Sequence, residues 1–265
     1  MRDFRSIFHL IGILLCIEAI AMLFPMIVDI FYNNSDWQVF FFLSLITFII
    51  GLVIYLSFKH QKSKIKLREA FVLTVFSWII IAIFASLPLM YSSSNLTFSD
   101  AFFESISGIT TTGATVIPNL NQLSEGILIW RSLLQWFGGI GIIVLAISIL
   151  PTLHIGGMQL LHMEHDDPYE KTLPKVTQFV LEIFIIYSSL TFICGLCYFV
   201  GGMNGFDAVA HATTTISTGG FSTHNSSFAT FNSEKIETIS IFFMIIGSLP
   251  FVIYLKTLHG DWKSL

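Results

Sequence analysis

Two short clusters of Thr, Ser and Gly have the residue types that could replace the water around a cation. Backbone carbonyls can take the place of an ion's hydration shell, glycine permits backbone conformations that other residues resist, and Thr and Ser add hydroxyl oxygens. Neither cluster carries a formal charge, so the pattern favours a carbonyl-lined cation site over an acidic ring for divalent ions. The clusters are Thr110-Thr111-Thr112-Gly113 and Ser217-Thr218-Gly219-Gly220.

The two clusters occupy equivalent places in an internal repeat. A shift of 107 positions, the separation of Gly113 from Gly220, aligns Asp100 with Asp207 and Ile109 with Ile216 without a gap. Each cluster follows a short amphipathic segment, whose helical C-terminus would carry partial negative charge towards a cation. Thr and Gly are also ordinary helix caps. A transport site is favoured over simple caps because equivalent discontinuous elements in membrane repeats mark such sites.

The elements that must hold these clusters are strongly apolar. The 265 residues are 54% hydrophobic and 11% charged, whereas a soluble domain carries about 25% charged residues. A membrane span needs about 20 apolar residues. Six segments qualify, at roughly 7–31, 38–58, 69–91, 126–150, 176–200 and 236–257.

Two further segments, at 99–110 and 206–216, are too short to cross a membrane. Non-helical backbone at membrane depth is tolerated only where protein buries it or it lines a water-filled cavity, so these segments predict re-entrant pore helices. The predicted fold class is an all-α integral membrane protein with two N-terminal spans and two span–pore helix–loop–span repeats. The predicted regions are 1–65 for the two-span part, 66–160 for the first repeat and 161–265 for the second.

Basic residues predict the orientation of the chain, because cytoplasmic loops carry an excess of Lys and Arg. Both termini are expected in the cytoplasm. The apolar run after Arg5 is too long for a signal sequence and lacks a clear cleavage site, so it predicts a retained span. The residues that carry the charge bias are Arg2, Arg5, Lys59, Lys62, Lys64, Lys66, Arg68, Lys256 and Lys263.

Ionisable residues inside apolar segments are functional candidates by default. Glu104 and His211 occupy equivalent positions on the two short segments. We expect each to hydrogen-bond the back of the cluster that follows it and to hold that cluster in shape. The alternative is that each is a locally satisfied polar residue with no effect on ions. Arg131 is expected to snorkel to the membrane interface.

Other reactive side chains do not form a recognisable catalytic site. Cys194 and Cys197 lie in an apolar run and are expected to act as small hydrophobes rather than a redox pair. No nucleophile elbow, P-loop or H-E-x-x-H motif occurs, and no basic run interleaved with aromatics suggests nucleic acid. We therefore predict no enzyme, no cofactor and no nucleic-acid partner. One loop is predicted to be solvated and acidic because its spacing fits no metal template; it contains His162, Glu164, His165, Asp166 and Asp167.

Three stretches resemble the N-terminal half of the TrkH family, within the Trk/Ktr/HKT superfamily of potassium transporters. The resemblance extends over nearly the whole chain. It implies a homodimeric K⁺ transporter of the bacterial inner membrane, with four pore loops around the filter and a cytosolic nucleotide-binding regulator of the TrkA type. Gly113 and Gly220 fall on two of the four filter glycines. The matching stretches are 100–115, 134–142 with 150–151 and 156–160, and 206–224.

The resemblance ends after the second repeat, and the family's third and fourth repeats have no counterpart in the 265 residues. One such chain could not close a four-sided pore, so we expect a second half-transporter chain, a second copy, or a truncated or remnant protein. The favoured prediction is K⁺ uptake through a carbonyl-lined filter by a truncated or split subunit. The alternative is a non-conducting membrane scaffold. An intramembrane enzyme is disfavoured, because paired catalytic groups must first share the right geometry.

Overall fold

The computed structural model describes residues 5–58, 67–149 and 172–258. Regular structure in these three ranges is helical and includes no β-strand, which confirms the predicted all-α class. Several residues used above lie outside the described residues. They are Arg2, the basic residues at 59–66, positions 150–171 with the acidic loop, and Lys263, together with the side chains of Arg68 and Lys256.

Ten α-helices follow one another along the described ranges, with short 3₁₀ helices at Leu120–Gln122 and Ser227–Phe231. The α-helices are α1 (Arg5–Ala21), α2 (Leu23–Phe31), α3 (Trp37–Phe58), α4 (Leu67–Tyr91), α5 (Phe98–Ile109), α6 (Glu125–Ile149), α7 (Thr172–Gly201), α8 (Gly205–Ile216), α9 (Glu234–Ser248) and α10 (Phe251–Leu258).

Four helical stretches are long and apolar enough to cross a membrane, and they match four of the six predicted spans. The predicted span at 126–150 coincides with α6, whose side chains are described through Gly141. Large apolar side chains such as Phe42, Val53 and Phe192 are exposed, as a lipid-facing surface requires. The four stretches are Ile7–Phe31, Trp37–Phe58, Val72–Tyr91 and Gln178–Gly201.

The predicted span at 236–257 is not one continuous helix. It consists of α9 and α10, separated by Leu249 and Pro250. Proline lacks the N–H that would continue the helix and forces the preceding residue towards extended backbone. Leu249 accordingly has φ −73° and ψ 143°. The Ile246 carbonyl, which has no N–H donor at Pro250, accepts the Leu249 N–H at 3.2 Å and the Tyr254 hydroxyl at 2.6 Å.

The first predicted span has a similar interruption, since α1 ends before Met22 and α2 begins after it. Pro25 lies in the first turn of α2, where its missing N–H breaks the hydrogen-bond ladder back to α1.

Glycines let α1 approach α3 closely, as small residues do between membrane helices. An added Cβ on Gly12 would lie 2.6 Å from Tyr55 N.

A buried carboxylate joins α2 to the start of α6. Asp29 is fully buried, and its Oδ1 accepts the Gly126 backbone N–H at 2.7 Å. Asn34 donates its side-chain amide to Asp29 at 3.1 Å and to Glu125 at 2.6 Å. A negative charge at the N-terminus of a helix is stabilised by the helix dipole. The N-terminal helices are therefore fixed to the first repeat.

Each repeat encloses its short helix in an apolar core. In the first, Ala101 of α5 packs with Leu134 and Trp130 of α6, and the Trp130 indole donates to Ala85 O at 3.0 Å. In the second, Ala208 and Ala212 of α8 pack among side chains of α7, α9 and α10. Each half thus places a short helix after one long helix, with α5 and α8 at equivalent places, but the helix that follows is continuous in the first half and broken into α9 and α10 in the second.

Candidate functional site

The two predicted Thr/Ser/Gly clusters form glycine loops with the same backbone conformation. The first loop is residues 110–116 and the second is 217–223. φ is 56° at both Thr111 and Thr218, and 78° and 79° at Gly113 and Gly220. A left-handed φ is uncommon for any residue other than Gly and strained for a β-branched one. Such outliers persist only where the surroundings fix them, and they are typical of ligand sites.

Matching hydrogen bonds close both loops. Thr112 N donates to Ser107 O, and Gly219 N donates to Thr214 O, each at 2.9 Å. The N–H of the following glycine reaches the same carbonyl in each repeat, at 3.4 Å for Gly113 and 3.3 Å for Gly220. Each loop therefore folds back over the last turn of its short helix, and the repeat seen in the sequence is a repeat of structure.

Some of the loop hydroxyls serve the ends of the helices. Thr110 and Ser217 are the C-cap residues of α5 and α8, so the capping interpretation holds locally for these two positions. Thr110 Oγ1 donates to Ile106 O at 2.7 Å and lies 2.7 Å from Thr112 Oγ1, and Ser217 Oγ donates to Thr214 O at 3.2 Å. At these positions the backbone carbonyls are the better candidates for binding an ion.

The two short helices begin alike as well as end alike. Thr97 Oγ1 accepts from Asp100 N at 3.3 Å, and Asn204 Oδ1 accepts from Asp207 N at 2.8 Å. Side-chain oxygens at the N-cap satisfy the free N–H groups of a first turn. Each helix then runs for 12 residues, and its partly negative C-terminus leads directly into a glycine loop.

The two glycine loops touch one another beside α6. A Cβ added to Gly113 would overlap Gly219 O, and one added to Gly138 of α6 would overlap Ile109 O. A Cβ on the neighbouring Gly139 would lie 3.1 Å from the Ser217 side chain. Glycine is needed at Gly113 for this close approach as well as for its positive φ. The structure thus places the eight residues of the two predicted clusters in two adjoining loops.

Glu104 lies directly behind the first loop. Its side chain is fully buried, and its two oxygens accept from Thr115 Oγ1 at 2.9 Å and from Val116 N at 3.0 Å. These are the contacts predicted from the sequence for a supporting side chain. The geometry thus fits support of the loop, and an effect on ions stays a prediction.

His211 occupies the equivalent place behind the second loop. Its Nδ1 lies 2.8 Å from Asp207 O, and its Nε2 lies 2.9 Å from Ser222 Oγ. A carbonyl oxygen can only accept, so Nδ1 donates and Nε2 of the neutral ring accepts from the Ser222 hydroxyl. Burial of the ring lowers the pKa of His211 below its ordinary value, against the opposing effect of Asp207. Ser222 is the repeat partner of Thr115, so both supports grip the same loop position.

Arg131 does not snorkel to the membrane interface, and that expectation is wrong. Its side chain is 1% exposed, and its guanidinium pairs with Glu104 Oε1 at 2.7 Å. It also donates to Ser222 O at 3.1 Å and lies 4.2 Å from the centre of the Phe221 ring. A buried charge is retained where a counter-charge and hydrogen bonds compensate its desolvation. Arg131 therefore connects the back of the first loop to the second.

A polar network around Asp207 was not predicted from the sequence. Thr223 Oγ1 donates to this carboxylate at 2.6 Å, Asn204 Nδ2 donates at 2.8 Å, and His224 Nε2 lies 3.1 Å away. The alignment of Asp207 with Asp100 in the repeat was the available signal. It indicated a shared N-terminal helix position but not the extra partners that the second loop supplies.

A cavity of about 240 Å³ lies where the loops meet the break between α9 and α10. Thr111, Ser217 and Thr218 line it on one side, and Ser248 and Pro250 line it on the other. Its walls combine hydroxyl groups with apolar surface. The positive-φ Thr residues of both loops therefore border one shared space.

Other candidate chemistry is sparse in the described ranges. No group of three or more His, Cys, Asp or Glu side chains there could hold a metal ion. Cys194 and Cys197 are free thiols, and Cys194 packs in the core of the second repeat. This placement agrees with their interpretation as small hydrophobes.

The chain is similar to known proteins over nearly its whole length. The TrkH family, described as a cation transport protein, matches residues 36–262. The Trk system potassium uptake protein TrkH of Halomonas elongata is 40% identical over 253 residues, which make up 94% of this chain and 52% of the relative. Its counterpart from Escherichia coli K12 is 38% identical over 260 residues, 97% of this chain and 54% of the relative.

A solved structure has the same fold. The crystal structure of the potassium transporter TrkH from Vibrio parahaemolyticus superposes with a TM-score of 0.85 at 35% identity, covering 98% of this chain and 53% of that one. The chain spans about half the length of the curated relatives it matches. Their names describe transport and no catalysis, in agreement with the predicted non-enzymatic character. The family match over 36–262 and the structural similarity show that this apolar helical membrane protein belongs to the TrkH family of cation transport proteins.

Proposed function

We propose that this chain contributes two pore loops to a K⁺ uptake path across the bacterial inner membrane. The observation that carries the proposal is the pair of glycine loops. They repeat the same left-handed residues and the same closing hydrogen bonds, and they adjoin at Gly113 and Gly219. Two unrelated helix-capping turns would need neither the left-handed Thr residues nor the contact between the loops.

The chemistry follows from the two loops. A carbonyl-lined filter replaces the hydration shell of K⁺ with backbone oxygens. The described loops carry no formal charge at 110–113 or 217–220, and the C-termini of α5 and α8 add partial negative charge. Uptake would be driven by an inside-negative potential, which is worth about 2.3 kcal/mol per charge per 100 mV. No covalent step is required.

The proposed arrangement has six membrane crossings with α5 and α8 as re-entrant pore helices, and both termini in the cytoplasm. The proposed division is a two-span region at 1–65, a first repeat at 66–160 and a second at 161–265. The apolar helices and the family support this arrangement. The charge bias of the N-terminal, 59–68 and C-terminal segments supports the orientation.

The repeat also indicates what would complete the path. In the first repeat, α6 reaches the second loop through Arg131. α9 is the counterpart of α6, because Gly247 of α9 lies against Ile216 O as Gly138 of α6 lies against Ile109 O. This match places Met244, which is 54% exposed, at the position of Gln135, an α6 residue that also reaches the second loop. We propose that this face of α9 receives a further pore loop, from a second copy of the chain or from a second half-transporter chain. A cytosolic TrkA-like nucleotide-binding regulator is the proposed gating partner, as the relatives named for a Trk system suggest.

The test is K⁺ uptake by cells that lack their own K⁺ transporters. The chain is expressed alone and then with a candidate second half, and its presence in the membrane is measured in each case. Uptake by the chain alone supports an assembly of copies, and uptake only with the second half supports a split transporter. Gly113→Ser and Gly220→Ser are expected to lower the ratio of K⁺ to Na⁺ uptake.

Two results would contradict the proposal. Unchanged ion ratios in both glycine variants would remove the assignment of the filter. Absence of uptake in every combination, with the protein in the membrane, would favour the non-conducting scaffold.

A further inference from the structure

We infer that Gln135 is a positioning residue for ion selection, whose carboxamide fixes how the two glycine loops sit against each other. This inference rests on the proposed function and adds a specificity determinant to it. Gln135 lies one helical turn after Arg131 on α6, and both side chains are buried. Residues four apart share a helix face, so Gln135 lies on the same side of α6 as the loop contacts of Arg131.

The carboxamide holds the second loop by its backbone. Gln135 Oε1 accepts the Phe221 N–H at 3.0 Å. Phe221 directly follows Gly220, whose φ is 79°. This hydrogen bond therefore anchors the chain one residue beyond the left-handed glycine, where a small displacement would change the direction of the neighbouring carbonyls.

The same carboxamide explains why position 219 is a glycine. Gly219 is absent from the residues with positive φ, so its backbone conformation does not require glycine. A Cβ added there would overlap the Gln135 amide carbon and lie 2.7 Å from Nε2. The Gln135 carboxamide thus lies directly against Gly219. It leaves no room for a side chain at position 219.

This contact passes from the second loop to the first. The Gly219 carbonyl occupies the space that a Cβ on Gly113 would need, and that same Cβ position lies 3.7 Å from Gln135 Nε2. Gln135, Gly219 and Gly113 therefore form a contiguous stack across both loops. A shift of the carboxamide would therefore shift the Gly219 carbonyl, which packs against Gly113.

A role in packing alone accounts for Gln135 less well. Its Nε2 is buried and has no hydrogen-bond partner in the part of the chain that the structure describes. A buried unpaired donor is unfavourable, and Met would fill a similar volume without that penalty. Met could not supply an acceptor for the Phe221 N–H. The positioning role therefore belongs to the side-chain oxygen of Gln135.

The positioning role is tested on the purified chain, without any need for transport. Gln135→Met keeps the volume and removes the acceptor, and Gln178→Met makes the same change on the exposed end of α7. We expect amide hydrogen exchange at Phe221 to become about fivefold faster in Gln135→Met, the change that loss of one typical hydrogen bond produces. Equal exchange rates in Gln135→Met, Gln178→Met and the unmodified chain would overturn this role.

The selectivity role is tested by the ratio of K⁺ to Na⁺ uptake in the active assembly, which does not depend on protein abundance. Gly219→Ala is expected to lower this ratio about fivefold in the parent, since the new methyl displaces the carboxamide. In a Gln135→Ala background, the same change is expected to alter the ratio less than about twofold, because the methyl then has room. Multiplicative effects in the double variant would overturn the inference.

Gly113→Ser in the same cells separates this inference from the proposed function. If Gly113→Ser lowers the ratio and no Gln135 variant does, only the role of Gln135 fails. If none of these variants changes the ratio, or no assembly takes up K⁺, the filter proposal fails and the selectivity role fails with it. If both Gln135 variants are absent from the membrane while Gln178→Met is present, Gln135 is a folding residue and its selectivity role is overturned.

Discussion

The two glycine loops have one backbone design but different supports. Behind the first loop stands a charged pair, Glu104 and Arg131, buried at 0% and 1% exposure. Behind the second stands the neutral ring of His211, bonded to Ser222. Each support hydrogen-bonds the equivalent residue of its loop, Thr115 in the first and Ser222 in the second. The first support is an ion pair, whereas the second is uncharged.

The difference shows that backbone geometry was repeated while its reinforcement diverged. A buried ion pair is strong only as long as both partners are present. A neutral hydrogen bond contributes less to stability, and its removal leaves an unpaired polar group rather than an unpaired buried charge. The first loop should therefore be the more vulnerable of the two to a single substitution, and the second should be the more sensitive to pH.

The largest effect is expected from breaking the ion pair. Glu104→Gln leaves the Arg131 guanidinium buried without its counter-charge, which should destabilise the protein by about 3–5 kcal/mol. The thermal unfolding of purified protein in detergent measures this loss. The matched control is Glu234→Gln at the exposed start of α9, expected to change stability by less than about 0.5 kcal/mol. Similar losses at the two positions would show that the pair has no special weight.

An intermediate effect is expected from the paired glycines. Gly220→Ala should cost about 1–2 kcal/mol, the penalty of a left-handed residue with a side chain. Nothing lies within 4 Å of a Cβ at Gly220, whereas a Cβ at Gly113 would overlap Gly219 O. Gly113→Ala should therefore cost more than Gly220→Ala, both in unfolding temperature and in the ratio of K⁺ to Na⁺ uptake. Equal costs would mean that the loops are not in contact.

The smallest effect is expected from the neutral support. His211→Gln should cost about 0.5–1.5 kcal/mol at pH 7.5, the contribution of one neutral hydrogen bond. The pKa of His211 is lowered in the folded protein, so below about pH 6.5 the unfolded chain binds a proton that the folded protein excludes. Stability linked to His211 is then present above that pH and lost as pH falls.

Unfolding temperatures measured from pH 7.5 to pH 5 provide the check. The unmodified protein should lose more stability over this range than His211→Gln does, so the gap between them should narrow. Parallel curves for the two proteins would contradict the assignment of a neutral, buried ring.

The repeat made much of the site predictable from the sequence. A constant shift of 107 positions linked Glu104 to His211 and Gly113 to Gly220, and equal spacing on equal helices implies equal geometry. Pro25 and Pro250 were also visible, and their helix breaks follow from the missing N–H. The breaks were missed because hydropathy averages over a window and does not register a single residue.

The contacts between the repeats were not predictable in the same way. Arg131 and Gln135 lie four residues apart on α6, which places them on one helix face. Neither spacing nor hydropathy says whether that face meets lipid or another loop. The repeat offers no guide either, because Ser240 and Met244 stand at the equivalent positions of α9, where Gly247 matches Gly138 of α6. Such contacts depend on how two repeats dock, which is tertiary information.

The bond between Asp29 and Gly126 has a consequence for how the protein is made. It joins residues 97 positions apart. At a synthesis rate of about 5–20 residues per second, the Asp29 carboxylate leaves the ribosome roughly 5–20 seconds before its partner. During that interval it must remain hydrated or protonated, since a bare charge is costly in hydrocarbon. The first membrane segment therefore reaches its final position only after the start of α6 has been translated. Assembly of the N-terminal helices is thus completed only when α6, which packs beside the first glycine loop, is present.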